Sequence, residues 1–350
     1  MMEAQYRNEG SLLAHFVTSI MQRHAELTNY PKEVGNPPLK KMLSIASPYL
    51  SEAVWHGELR TLLSMLCSGS WEQKANAAMR LAVYELIASD GQGKPPINVE
   101  RLASRCGIEK IVQDANIRHL KGVLVQTGDG TYEINLPIKI LYYSKRFTIA
   151  HEISHVLLRK AAGPSALRLL DEGKFRPLLE RICNAGAAEL LIPFYVVYPV
   201  VEGGVDIGTL TDIGKSCQAS LQTTAVQIAE VCERVCGYSC QFMLIEFSDN
   251  QDTRLLWQTR SYRLPIWINN KNLFQKVIER VREGKQGNRG YFPFIAPDGQ
   301  EVKYEFEIRL MQAPHCNFTT ALFLLTRLGK LTNGSGLFKY PKGIPTEEST

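Results

Sequence analysis

His151-Glu152-Ile153-Ser154-His155 constrains this chain more than any other stretch, because two histidines four residues apart on a helix project from one face as near neighbours. Two imidazoles on one helix face can grip a single Zn2+, and a glutamate beside the first supplies the base that a metal-activated water needs. The flanking residues agree. Ile149, Ile153, Val156 and Leu157 cluster on one face by the 3.6-residue period, which leaves His151 and His155 together on the opposed side, pointing away from the core. The helix is expected to open near Ser144.

A catalytic zinc usually takes three protein ligands and keeps one position open. Glu180 is the expected third ligand, on a second helix from about Leu178 to Ile192 that Pro193 stops. There Glu180, Asn184, Ala187 and Leu191 share a face, and the small alanine permits close packing on the motif helix. Asn184, one turn on, is expected to accept the free ring N–H of His151 or His155 and fix its tautomer. Asp171 and Glu172, in a glycine-containing connector, and Glu189, a quarter-turn off the stripe, compete for the ligand role. Tyr195, Tyr198 and His119 are candidate oxyanion donors.

The rest of the chain bounds the setting. At 350 residues and 45% hydrophobic it is long enough for two or three cores. Its net charge of +5 is interspersed, without the blocks that nucleic acid or membrane binding requires. Eight scattered cysteines (Cys67, Cys106, Cys183, Cys217, Cys232, Cys236, Cys240 and Cys316) lack a disulfide framework's spacing and fit reduced thiols in a cytoplasm. The most apolar run, Ala185 to Val201, is broken by Glu189, Pro193 and Pro199 and reads as a buried helix end with a connector, not a membrane span.

Helical periodicity runs from about Ser11 to Ser89, and the turn formers from Ser89 to Pro96 close that lead-in. A short helix follows at Val99 to Cys106, then strands at Gly122 to Gln126 and Thr131 to Asn135, the second of which, near Tyr132 to Asn135, is expected to be an edge strand that accepts an extended substrate. After the two site helices come a helix pair, Leu210 to Cys217 and Leu221 to Cys236, and then strands and one helix, Asn272 to Glu283, up to Leu325. The helix pair has helix-turn-helix proportions, but its second member offers Gln222, Thr223, Thr224, Gln227, Glu230 and Glu233 with no Lys or Arg before Arg234. Phosphate neutralisation needs cations, so packing is the expected role and direct DNA binding is disfavoured.

Pro96-Ile97-Asn98-Val99-Glu100-Arg101-Leu102-Ala103, Gly122, Ile134-Asn135, Arg146-Phe147-Thr148-Ile149-Ala150 with the histidine motif, Glu180-Arg181-Ile182-Cys183-Asn184 and Ala187-Ala188-Glu189-Leu190-Leu191-Ile192-Pro193 together resemble the ImmA/IrrE family of zinc metallo-endopeptidases. The resemblance spans about Pro95 to Pro193 and implies His151, His155 and Glu180 as zinc ligands and Glu152 as catalytic base. It also implies a zincin-like peptidase domain (91–200), a helix-turn-helix-like region (201–238) and a GAF-like domain (239–331), which with the helical segment (1–90) and a Gly-, Lys-, Pro- and Thr-rich flexible tail (332–350) make an α+β chain. The helical lead-in before Pro95 departs from the resemblance, which leaves its role open. The implied function is cleavage of a regulatory protein, a helix-turn-helix repressor, with a small-molecule ligand expected at the GAF-like domain. The competing reading is a DNA-binding or ligand-sensing regulator whose zinc domain is structural.

Overall fold

A computed structural model describes residues 12–23, 37–91, 93–117, 122–128, 130–162, 176–236, 238–248, 253–259, 271–283, 288–295, 301–312 and 318–327. Eleven α-helices and two sheets among these residues make a mixed α+β chain. It divides into two compact units, one of Met1–Val196 with Ser216–Ser220 and one of Val197–Lys215 with Leu221–Thr350. No single helix among the described residues is long and apolar enough to cross a membrane.

In the first unit the described residues of the lead-in form four helices: α1 (Leu12–Arg23), α2 (Pro37–Ala46), α3 (Glu52–Ser68) and α4 (Trp71–Asp90). Side-chain caps set their starts. Ser51 accepts from the Val54 N–H, and Ser70 forms a reciprocal capping box with Gln73. Helix α4 is apolar or alanine on nearly every side, from Ala75 through Ala88, and so it lies in the centre of the unit. It packs against α3 and against α7 (Arg176–Leu191), while α1 packs on the motif helix α6 (Tyr142–Ala162). The lead-in thus shares a core with the motif helices.

Arg80 of α4 and Glu189 of α7 are both buried and form an ion pair at 3.1 Å. Glu189 also accepts the Tyr84 hydroxyl at 2.7 Å and the Phe194 N–H at 2.7 Å. The last contact caps α8 (Phe194–Val201), a helix where the sequence had pointed to a connector. Its apolar, proline-bearing run gives no period of its own, so only this cap marks it as helical.

The sheet of the first unit has the order β1-β3-β2, with β1 (Ile108–Asp114) parallel and β2 (Val123–Gly128) antiparallel to β3 (Thr131–Pro137). Strand β1 has no counterpart in the sequence reading: only Ile108 of its seven residues is buried, so it lacks an alternating pattern. Its presence corrects the expected substrate edge. Residues Tyr132 to Asn135 are hydrogen-bonded on both sides, and the free edges belong to β1 and β2. Helix α5 (Val99–Arg105), started by the Asn98 side chain, leads into β1.

The second unit carries α9 (Ile207–Cys217) in part, α10 (Leu221–Val231) with a wider π-helical turn over Cys232–Cys236, and a five-stranded antiparallel sheet of order β5-β4-β8-β7-β6. Strand β4 is Cys240–Ser248, β5 Thr253–Gln258, β6 Arg289–Ile295, β7 Glu301–Gln312 and β8 Phe318–Arg327. Alternate residues Met243, Ile245, Phe306, Ile308, Ala321, Phe323 and Leu325 form one core with Val277 and Ile278 of α11 (Lys271–Arg282). Phe242, Leu322 and Leu324, of opposite parity, are buried as well, and α10 packs on β4.

Candidate metal centre

Helix α6 opens at Tyr142, two residues before the expected start, and its N-terminal turn is tied down by Arg146. That guanidinium is buried and donates to the carbonyls of Ile97 at 2.9 Å and Gln218 at 3.1 Å. Ile149, Ile153 and Val156 are fully buried, as the period requires. On the other side His151 and His155 are not left in solvent: their side chains are 14% and 18% exposed because α7 lies over them.

The approach of α7 depends on Gly186. A Cβ there would meet Ser154 Oγ at 2.6 Å and Met79 Cγ at 2.7 Å, so the close contact falls one residue before the alanine expected to allow it. Packed this way, α7 brings Glu180 to the histidine pair. Glu180 Oε2 is 3.2 Å from His151 Nε2, Oε1 is 3.8 Å from His155 Nε2, and the two Nε2 atoms are 3.0 Å apart. Two donors about 2.0–2.1 Å from a Zn2+ at the tetrahedral angle stand about 3.3–3.4 Å apart, a spacing near that of the two Nε2 atoms and of His151 Nε2 and Glu180 Oε2. Among the described residues this is the group of three His, Cys, Asp or Glu side chains close enough to share an ion. Glu180, 42% exposed, leaves the site open on its own side.

The electrostatics suit metal binding. Burial first, and then His151, Arg159 and Arg176, push the His155 pKa down to about 3, which keeps the ring in the neutral form that ligates. Glu152 is buried, and burial with the nearby Glu180 raises its carboxyl to about 7 against the opposing pull of Arg159. A carboxyl in that range exchanges protons readily near neutral pH.

Two residues near the site had no role in the sequence reading. Cys183 Sγ lies 3.4 Å from His155 Nδ1, where Asn184 had been expected, while Asn184 itself is exposed. The signal was available: Cys183 stands three residues after Glu180, as Asn184 stands four, and either spacing reaches the same neighbour. Arg159, one turn past His155, places its guanidinium 5.9 Å from the Tyr132 ring centre. Glu189 is committed to Arg80, and Tyr195 is buried with its ring 5.4 Å from that of Tyr49. The Tyr198 hydroxyl donates to Glu202 at 3.1 Å. His119, Asp171 and Glu172 lie outside the described residues.

These side chains form a group able to hold a metal ion, and the proteins that the chain resembles include a metalloprotease. Residues 142–228 match the family model Peptidase_M78, described as the IrrE N-terminal-like domain. The matched span begins at the first residue of α6 and ends in α10, later at both ends than the motif span of the sequence. The radiation response metalloprotease IrrE of Deinococcus deserti is 29% identical over 183 residues, a match covering 48% of this chain and 61% of that protein. The chain therefore matches less than two thirds of the relative's length. Both matches support the resemblance to the ImmA/IrrE family. A solved Mycobacterium tuberculosis transcriptional regulator aligns with a TM-score of 0.42 at 14% identity over 71% of this chain and 88% of that one, a likeness too loose to carry any argument.

Proposed function

We propose that the chain is a zinc-dependent endopeptidase that cuts a regulatory protein, a helix-turn-helix transcriptional repressor, and so releases that repressor's target genes. The observation that carries this reading is the convergence of His151, His155 and Glu180 from two helices, with Glu152 buried beside them. The word radiation in the relative's name supports a stress setting. His151, His155 and Glu180 would hold the ion. When bound, Zn2+ supplies Lewis acidity toward a peptide carbonyl and makes water acidic enough to lose a proton near neutral pH. Glu152 takes that proton and returns it to the leaving amine, for which a carboxyl near 7 is well placed. The exposed outer edge of β2 offers main-chain hydrogen bonds to an extended substrate.

Cys183 orients His155 in this reading. With the Nε2 lone pair given to the metal, Nδ1 carries the proton and the thiol sulfur accepts it. Cys183→Ala is expected to weaken Zn2+ affinity by about tenfold, the low end for losing such a partner, and Cys183→Ser to recover most of it. Competition with a chromogenic chelator measures both; equal affinities in all three proteins would remove this role.

For the second unit we propose a GAF-like sensor, supported by its single antiparallel sheet with α11 on one face. In α10, Thr223, Thr224 and Gln227 are buried, which supports packing over DNA recognition for the helix pair. Incubation of the zinc-loaded protein with helix-turn-helix repressors of its own organism tests the whole reading. Loss of one intact repressor, blocked by a chelator, is the expected result. Tight, salt-sensitive DNA binding without any cleavage would favour the regulator instead.

A further inference from the structure

We propose that Arg159 selects the substrate, by binding an acidic side chain about two residues from the scissile bond. This deepens the peptidase reading and rests on it.

Thr148, Glu152, His155 and Arg159, spaced four, three and four apart, share one side of α6. That side borders the three-stranded sheet at both ends. A Cβ on Gly122, the residue before β2, would meet Thr148 Cγ2 at 2.5 Å, and Arg159 stands 5.9 Å from the ring of Tyr132 on β3. Strand β2 pairs with β3 from Val123 opposite Asn135 to Gln126 opposite Tyr132. It therefore runs along α6 from the turn of Thr148 toward the turn of Arg159, past the histidines. A peptide added to its outer edge follows the same line. The four residues from His155 to Arg159 span about 6 Å of helix, and two residues of extended chain cover about as much.

Among the described residues, what Arg159 lacks is an anion. Its Nε is closed off from solvent and, among the described residues, has no acceptor, nor does any of their carboxylates lie within ion-pair distance of its guanidinium. Other arginines of this unit are paired, Arg101 and Arg105 with Asp90 and Arg181 with Glu72. Glu152 feels the charge of Arg159 without bonding to it. A guanidinium left in this state beside a peptide track recognises a carboxylate by charge-assisted hydrogen bonds.

Degenerate peptide pools with one position at a time fixed as Glu, Gln or Lys test the assignment on the zinc-loaded protein. Wild type should cut the Glu pool about tenfold faster than the Gln pool at a single position near the scissile bond, mainly through KM. Arg159→Gln should erase the difference, and Arg159→Glu should turn it toward Lys, each with an unchanged melting temperature. A structural role predicts an even loss of kcat across all pools, and that result would overturn the proposal. If wild type cuts no pool, the peptidase reading fails. Binding of the same pools, fluorescently tagged, to the zinc-loaded Glu152→Gln protein then decides: a Glu preference that Arg159→Gln removes upholds acidic recognition, and equal binding of all pools ends it.

Discussion

Glu152→Gln is expected to lower the rate of peptide-bond cleavage by about 10²–10⁴-fold while the protein binds Zn2+ as before and melts no lower. The amide keeps the shape of the side chain and cannot accept the proton. Nor does it bear the cost of a carboxyl that burial already pushes to about 7, so no fall in stability follows from the exchange. Single-turnover cleavage, metal titration and thermal melting on the same preparation check the three parts together. Cleavage at the wild-type rate would remove Glu152 from the chemistry, and loss of metal would make it a ligand instead.

The largest effect on stability is expected far from the chemistry, at Glu189. Glu189→Ala removes the carboxylate 3.1 Å from the Arg80 guanidinium in the core and takes the nearer acceptor from the Tyr84 hydroxyl, which keeps Glu58 at 3.4 Å, and an acceptor from the Phe194 N–H. Breaking one side of a buried pair of this kind costs about 3–5 kcal/mol, a large part of a typical domain's stability. Urea unfolding gives the number. Replacing both partners, as Arg80→Met with Glu189→Leu, should recover most of the loss, because neither charge then remains to be desolvated. A loss below about 1 kcal/mol in the single variant would mean that water reaches the pair. Since α7 carries both Glu189 and Glu180, the single variant should also bind metal more weakly.

The contrast between these two carboxylates marks how far the sequence could be read. His151, Glu152 and His155 were legible because a local spacing on one helix fixes their mutual positions. Glu180 was legible because a second helix with one polar stripe had few ways to face the first. Glu189 competed with it on composition alone, and only the fold, by bringing Arg80 across more than a hundred residues of chain, gave it a different task. Helix α8 and strand β1 stayed hidden for related reasons. One is apolar all round and started by a side chain from the preceding helix, and the other is an edge strand with a single buried residue. Cys183 shows the limit of periodicity, which cannot choose between the third and the fourth residue after Glu180 when both reach the same side. Arg159 was visible one turn past His155, yet its meaning depends on a partner missing among the described residues, and a sequence does not display that.

Zn2+ titration of the metal-stripped protein tests the central claim most directly. The geometry predicts one tightly bound ion per chain, with binding severely weakened by His151→Ala, His155→Ala or Glu180→Ala and kept by Glu152→Gln. A wild-type chain that binds no Zn2+, or a Glu180→Ala chain that binds it as tightly as the parent, would contradict the centre as drawn.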